Sequence, residues 1–179
     1  KLSWLNGMWI RENLSDAELM QRFVDWKFNT ELFAKVLPEA KTRINTLSDM
    51  VDLAGHFVGG IPSYDPALLT AGKADEDVIR QALQFFIWQL EGLRSWEKPA
   101  IFAIAKEVAT FHELKIKDFL EPIFVAITGK TSSTSVLDAM EILGSDLSRA
   151  RLRVALAHIG VSKKQAKNIE RAYRDYPQA

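Results

Sequence analysis

The chain has 179 residues, enough for one globular domain or two small ones with a hydrophobic core. Apolar residues make up 47% and charged residues 26%, and no apolar run approaches the length of a membrane-spanning helix. The 23 basic and 23 acidic residues balance, which argues against a strongly basic nucleic-acid binder, and the lack of cysteine excludes disulfides and cysteine-ligated zinc.

The first predicted helices are recognised by their starts. Ser15 and Glu18 form a capping box, in which each side chain satisfies a backbone N–H of the other residue. Thr46 precedes the next apolar stripe. That stripe consists of Leu47, Val51 and Ala54. A segment rich in glycine and proline, at 59–75, then indicates a boundary between two helical halves.

Two longer apolar stripes follow the boundary, with steps of three and four residues that are typical of a helix with one buried face. The stripes are Ile79, Leu83, Phe86, Leu90 and Leu93, and Ile101, Ile104, Ala105, Val108 and Phe111. A short helix is predicted from Pro122 to Gly129, and further stops at Gly144 and Gly160. Ser162 opens the last helix with a second capping box. The pattern predicts an all-α protein of about ten helices.

Two stretches partly match nucleotide-binding motifs. Gly129, Lys130 and Thr131 match the end of a P-loop, but the required first glycine falls on Phe124, whose side chain would block the phosphate. The triplet at 158–160 reads His-Ile-Gly and is followed by Ser-Lys-Lys at 162–164. Both lie at predicted helix ends rather than beside a strand, so we expect neither to handle ATP.

Four separated segments carry a family likeness when they are taken in order. They are KLSWLNGMWIRE at 1–12, KTRINTL at 41–47, Trp96 at a predicted helix start, and the run 115–152. Together they resemble the anticodon-binding region of bacterial glutamyl-tRNA synthetases, over about residues 1–160. Because the sequence begins at Lys1 without a methionine, we expect a fragment or a processed product.

The resemblance implies an α-helical cage of two subdomains that holds the anticodon loop of glutamate tRNA. Residues 1–12 would end the connector to a catalytic body and residues 13–66 would form the first subdomain. Residues 67–160 would form the second subdomain, and 161–179 a C-terminal helix. ATP and Mg²⁺ would bind the missing catalytic domain, so this fragment is expected to bind no cofactor and to be inactive alone.

The resemblance also implies residues that contact the anticodon. Arg43 matches an arginine that contacts the third anticodon base and helps to favour glutamate over glutamine tRNA. Lys106 falls near a position that approaches the middle base, and Ile116 matches one that packs against the bases. The small polar pair Ser133 and Thr134 matches a loop beside the first base, with Thr134 in place of a proline. For each position, a solvated or core side chain is the alternative interpretation.

Phe124 replaces an arginine that typically helps to read the first anticodon base in this family. Its ring could stack on that base, since stacking tolerates any base, or it could turn inward to the core. Tryptophans are interpreted as packing residues of the core or of the subdomains. These are Trp4, Trp9, Trp26 and Trp88.

The C-terminal helix carries a basic stripe that could make accessory phosphate contacts. Its candidates are Lys163, Lys164, Lys167 and Arg171, with Arg174 beyond them. The alternative is an amphipathic closing helix with a solvated charged face. The three histidines have neither metal-ligand spacing nor a nucleophile partner, so no catalytic or metal site is predicted.

Three functions remain open from the sequence. The favoured one is recognition of glutamate tRNA by a cytoplasmic, monomeric fragment with no membrane association. A helical protein-interaction module without a nucleic-acid role is the second. A small nucleotide-binding enzyme that uses residues 129–131 is the third.

Overall fold

A computed structural model of the chain describes residues 2–27, 30–131 and 135–177. Within these ranges the chain is all-α and forms no strand, which confirms the predicted fold class. A 3₁₀ helix spans Pro66–Leu69. The α-helices are α1 (Leu2–Asn13), α2 (Asp16–Lys27), α3 (Thr30–Lys41), α4 (Asp49–Val58), α5 (Glu76–Gly92), α6 (Lys98–Phe111), α7 (Ile116–Thr128), α8 (Val136–Ile159) and α9 (Lys163–Arg174).

The chain packs as two compact units, residues 1–54 and residues 55–179. This division falls within α4, earlier than the predicted boundary after residue 66. The residues between the two positions belong to the second unit because Arg151 binds the carbonyl oxygens of Gly59 and Gly60. The C-terminal segment also packs in the second unit, against α5. The four functional segments implied by the family resemblance remain a prediction.

In the first unit, the predicted start of α2 at Ser15 is confirmed, whereas α4 begins at Asp49, three residues after Thr46. The Ser15 N–H donates to Glu18 Oε2 at 2.9 Å and the Glu18 N–H to Ser15 Oγ at 3.3 Å, which confirms the capping box. At α4 the cap is a carboxylate instead. Asp49 Oδ2 accepts the backbone N–H groups of Asn45 and Thr46, at 2.7 and 2.9 Å. Two backbone N–H groups of the turn before α4 are thereby satisfied.

Several apolar residues of the first unit are exposed against prediction. Leu47 and Val51, placed on a helix stripe by their spacing, are 86% and 73% exposed. Trp4 is 63% exposed, and Trp9 is also exposed with the Arg22 guanidinium 5.4 Å from its ring centroid. Burial in a core is therefore wrong for these residues, because the described side chains of this unit form only a small core. Packing between the subdomains stays a prediction for Trp4 and Trp9. Among the described side chains of this unit, the buried apolar ones are Val36, Ala40 and Ala54. The side chain of Trp26 lies outside the described ones.

The core of the second unit follows the two predicted stripes. Ile79, Leu83, Phe86 and Leu90 of α5 are buried, as are Ile101, Ala105 and Val108 of α6. These helices pack with α7 and α8, whose buried residues complete one hydrophobic core. The largest of those are Phe119, Ile123, Ile127, Met140 and Leu152.

The position of α7 corrects one prediction. The helix begins at Ile116 and not at Pro122, which lies inside it. An internal proline removes one backbone hydrogen bond, at a cost of about 3 kcal/mol, but burial of Phe119 and Ile123 on either side offsets it. The predicted end is confirmed: Gly129 has a φ of 74°, the left-handed cap conformation. A Cβ there would lie 2.9 Å from Pro62 Cβ.

Helix α8 is two helical segments joined at Gly144, whose backbone is non-helical with φ 79° and ψ 170°. The predicted stop at Gly144 is therefore a kink. The stop at Gly160 is confirmed as the C-cap of α8. Trp96 lies two residues before α6 rather than at its first residue, and its indole Nε1 donates to the Met140 carbonyl of α8 at 2.7 Å.

The most buried charge of the second unit is Arg151 on α8, with none of its surface exposed. Its Nε donates to the Gly60 carbonyl at 2.9 Å, and its Nη2 to the carbonyls of His56 and Gly59 at 2.6 and 2.8 Å. Its Nη1 donates to the Ile127 carbonyl. Burial lowers the pKa of Arg151 to about 10, so it remains a cation at neutral pH. One guanidinium thus satisfies carbonyls at the ends of both α4 and α7.

The imidazole of His56 lies close to this cation. Burial, with the charges of Arg151 and Lys130, lowers the pKa of His56 to about 4. The ring is therefore neutral at pH 7, and it packs against Phe57 with 4.1 Å between ring centroids. Both of its ring nitrogens are buried without a hydrogen-bond partner in the described part of the chain.

Candidate nucleic-acid interface

Residues 129–131, which match the end of a P-loop, lie in a structure that is not suited to bind a phosphate. A P-loop presents free backbone N–H groups, whereas the Gly129 N–H donates to the Val125 carbonyl at 2.8 Å and the Lys130 N–H to Thr128 Oγ1 at 3.2 Å. Gly129 also follows the C-terminus of α7, where the helix dipole is negative. This segment does not fit ATP.

The His-Ile-Gly triplet at 158–160 forms the C-terminal end of α8 and its cap. His158 is exposed and its ring contacts Tyr64 edge-on, 5.6 Å between centroids. The following Ser162 Oγ accepts the Gln165 N–H at 3.2 Å, and Gln165 Oε1 accepts the Ser162 N–H at 2.9 Å. The predicted capping box is confirmed, and these residues serve the start of α9.

A cavity of 510 Å³ opens between α6, α7 and the start of α8. Two of the sequence candidates, Ile116 and Phe124, line it together. Its other lining residues are four apolar ones, Phe102, Leu120, Val136 and Leu137, and four polar ones, Lys117, Glu121, Thr131 and Ser135. We call this set the aromatic cleft. Its volume is within the usual range for ligand-binding clefts, about 300–1,000 Å³.

Phe124 is half-buried, so its ring neither joins the core fully nor stands free in solvent. Its neighbours Ile123 and Val125 are buried, while its own ring faces the aromatic cleft. Phe102 is a second ring of this cleft that the sequence reasoning missed, and it is 40% exposed. The sequence contains one signal that could have identified it: Phe102 follows Ile101 but does not belong to the buried stripe of α6.

The remaining candidates lie elsewhere or outside the described residues. Ser133 and Thr134 fall outside the described part of the chain, although the flanking residues Thr131 and Ser135 line the aromatic cleft. Lys106 is exposed one helical turn after Phe102 on α6. It lines a separate cavity of 560 Å³, together with Ala103, Glu107, Thr110, Phe111, Tyr176 and Pro177.

Arg43 belongs to the first unit, in the turn between α3 and α4. Its side chain is exposed, and its backbone N–H donates to the Ala40 carbonyl at 2.9 Å. Within the part of the chain that the structure describes, no residue bonds to the guanidinium, so its five donors are available to a ligand. Arginine in this setting suits bidentate contacts to a base edge or a phosphate.

The basic residues of α9 are all exposed, as predicted. The opposite face is anchored: Ile169 is buried, and Tyr173 Oη accepts a hydrogen bond from Gln89 Nε2 at 2.8 Å. Tyr176, just after the helix, is also buried, and burial followed by the charge of Glu107 raises its pKa to about 12. The hydrophobic side of α9 is thus occupied by the protein itself.

The described residues offer no cluster of three or more histidine, aspartate or glutamate side chains suited to a metal ion. The helices within those same ranges are each too short or too polar to cross a membrane.

Residues 17–156 match the family model described as an anticodon binding domain. Over all 179 residues the chain is 90% identical to a glutamate–tRNA ligase of Pseudoalteromonas translucida (strain TAC 125), and it covers 36% of that protein. A glutamate–tRNA ligase of Marinomonas sp. (strain MWYL1) is 48% identical over 98% of the chain, which covers 36% of it.

A glutamate–tRNA ligase of Alcanivorax borkumensis (strain ATCC 700651 / DSM 11573 / NCIMB 13689 / SK2) is 45% identical over 99% of the chain, again 36% of its length. The chain therefore spans about a third of the length of the curated relatives that it matches. The predicted resemblance is confirmed. Since the matching family model covers most of its residues, the chain belongs to the anticodon-binding domain family.

Proposed function

We propose that this chain recognises the anticodon loop of glutamate tRNA as part of a glutamate–tRNA ligase. The observation that carries the proposal is the aromatic cleft, where Phe102, Ile116 and Phe124 form an open apolar surface. Unpaired anticodon bases are splayed out and stack on such surfaces, and their edges are read by polar side chains. The names of the relatives, all glutamate–tRNA ligases, support the choice of tRNA.

Different residues in the described part of the chain would make different contacts with the RNA. The rings of Phe102 and Phe124 supply stacking faces, and the Ile116 side chain supplies an apolar contact to a base. Lys117 at the cleft and Lys106 one turn beyond Phe102 supply positive charge to backbone phosphates. Ser133 and Thr134 remain candidates for the first base through their place in the sequence.

Binding measurements test this proposal against its rivals. The chain is titrated with glutamate tRNA, with glutamine tRNA and with ATP. Tight binding of glutamate tRNA, weaker binding of glutamine tRNA and none of ATP is the expected result. Failure to bind either tRNA would favour a protein-interaction module, and saturable ATP binding would favour an enzyme that uses residues 129–131.

Attachment of glutamate to tRNA would belong to the rest of the longer protein. ATP and Mg²⁺ are assigned to that part, because the residues of this chain that echo ATP motifs cap helices instead. This chain would position the tRNA and contribute no catalytic residue. We propose a cytoplasmic monomer, in keeping with a composition free of cysteine.

Arg43 is expected to discriminate between the two tRNAs. Arg43→Gln removes the forked donors, and loss of one bidentate base contact costs about 1–3 kcal/mol by analogy with groove readout. We expect the preference for glutamate over glutamine tRNA to fall by that amount. Paired titrations of the wild type and the variant measure it. An unchanged affinity ratio would remove Arg43 from the recognition set.

Phe124 is expected to stack on a base. Phe124→Ala should weaken tRNA binding by about 1–3 kcal/mol, and Phe124→Tyr, which keeps the ring, should bind nearly as well as the wild type. Because the side chain is only half-buried, the unfolding free energy should fall by less than it does for Phe119→Ala on the same helix. A large loss of stability with unchanged tRNA affinity would assign the ring to the core.

A further inference from the structure

We propose that the exposed basic face of α9 binds the phosphate backbone of the tRNA without reading its bases. The inference rests on the proposed function and extends it from the anticodon to a second surface. The face is formed by Lys163, Lys164, Lys167, Arg171 and Arg174. At 100° per residue, these five positions fall within a sector of about 100° around the helix axis.

The charge of this face is not neutralised locally. None of its five cations forms an ion pair with a carboxylate in the part of the chain that the structure describes. Glu170 and Asp175 are the acidic residues along its edge. The whole chain has no net charge, so the residues outside α9 carry a net negative charge. Helix α9 therefore carries a net positive charge while the rest of the chain is net negative, a pattern typical of an electrostatic footprint for nucleic acid.

Helix stability alone does not account for these residues. Lys163 and Lys164 occupy the first turn of α9, which contains no acidic residue. Positive side chains in a first turn oppose the helix dipole and are disfavoured by about 0.3–1 kcal/mol each. Residues that are locally unfavourable for the fold are expected mainly at functional sites.

A membrane surface fits this helix less well than a nucleic acid. An interfacial amphipathic helix inserts its apolar face between lipids. In α9 that face is already packed, with Ile169 buried and Tyr173 bonded to Gln89 of α5. The end of α9 also adjoins Lys106, because Tyr176 and Lys106 line the same cavity. A lysine already proposed to approach the RNA therefore lies beside the segment that follows α9.

The test compares two variants that each lose two lysines and one arginine. The first, Lys163→Gln/Lys167→Gln/Arg174→Gln, changes only exposed side chains of the basic face and leaves the capping box intact. The matched control removes the same charges at exposed positions elsewhere. It is Lys35→Gln/Lys73→Gln/Arg94→Gln. Circular dichroism and the thermal midpoint establish that both variants are folded.

The measurement is the dissociation constant for glutamate tRNA between about 50 and 200 mM salt. Each lost phosphate contact should lower the slope of log affinity against log salt by roughly 0.7–0.9, so the first variant should lose about two. Its affinity at low salt should fall roughly tenfold or more, equally for tRNAs with the wild-type and an altered anticodon. The control should keep the wild-type slope.

Two outcomes would overturn the inference while leaving the proposed function intact. One is an unchanged salt slope in the first variant. The other is a loss of binding to vesicles of phosphatidylglycerol and phosphatidylcholine while tRNA binding stays, which would assign the face to a membrane. If the wild-type chain does not bind tRNA at all, both the proposed function and this inference fall together.

Discussion

Replacing Arg151 with methionine should lower the unfolding free energy of the second unit by about 3–5 kcal/mol, since the hydrogen bonds of a fully buried guanidinium are lost. Methionine fills much of the volume but donates nothing. The carbonyls of His56 and Ile127 then stay buried without their partner, and each such group costs about 1–3 kcal/mol. The carbonyls of Gly59 and Gly60, whose bonds to Arg151 are part-buried, add less. Urea denaturation followed by far-ultraviolet circular dichroism measures the loss.

Arg153 is the matched control for this experiment. It lies two residues further along α8, and its exposed guanidinium pairs with Glu91 at 2.6 Å. An exposed pair of this kind contributes about 0–1 kcal/mol, so Arg153→Met should change stability little. Equal losses in the two variants would mean that the buried hydrogen bonds of Arg151 do not stabilise the fold. Arg151→Lys, which keeps the charge but loses the fork, should fall between them.

The helices of the second unit were predictable because their signals are local and periodic. The stripe on α5 and the capping box of α9 each depend on residues within one or two turns of one another. The start of α7 was mispredicted because Pro122 is a local signal for a helix start, whereas Phe119 and Ile123 are buried by distant partners. Long-range packing decided that helix, and spacing alone does not report it.

The candidate site was also only partly predictable, because long-range packing brings its residues together. Ile116 and Phe124 were proposed one by one, and only the fold brings them to one cleft with Phe102. The role of Arg151 was also missed, since an arginine side chain is usually solvated. Its carbonyl partners lie 24 to 95 residues away along the chain. Contacts of that sequence separation leave no periodic trace.

Phe85 joins α9 to the rest of the second unit through an aromatic cluster. Its ring is fully buried and contacts rings from α5, α6 and the end of the chain. The centroid distances are 6.1 Å to Trp88, 5.7 Å to Phe111, 4.9 Å to His112, 4.8 Å to Tyr173 and 5.4 Å to Tyr176. Phe85→Ala should cost about 3–5 kcal/mol of unfolding free energy, through lost burial and the cavity left behind.

The same change should loosen α9 before the rest of the unit, because two of the five rings belong to the C-terminal segment. Hydrogen exchange should rise in α9 and little in α7, and the salt dependence of tRNA binding should become shallower although no charge has been removed. Phe102→Ala, which removes a ring that is 40% exposed, should keep both the stability and the protection of α9. Should Phe85→Ala leave exchange in α9 unchanged, the aromatic cluster would not be what holds the basic face in place.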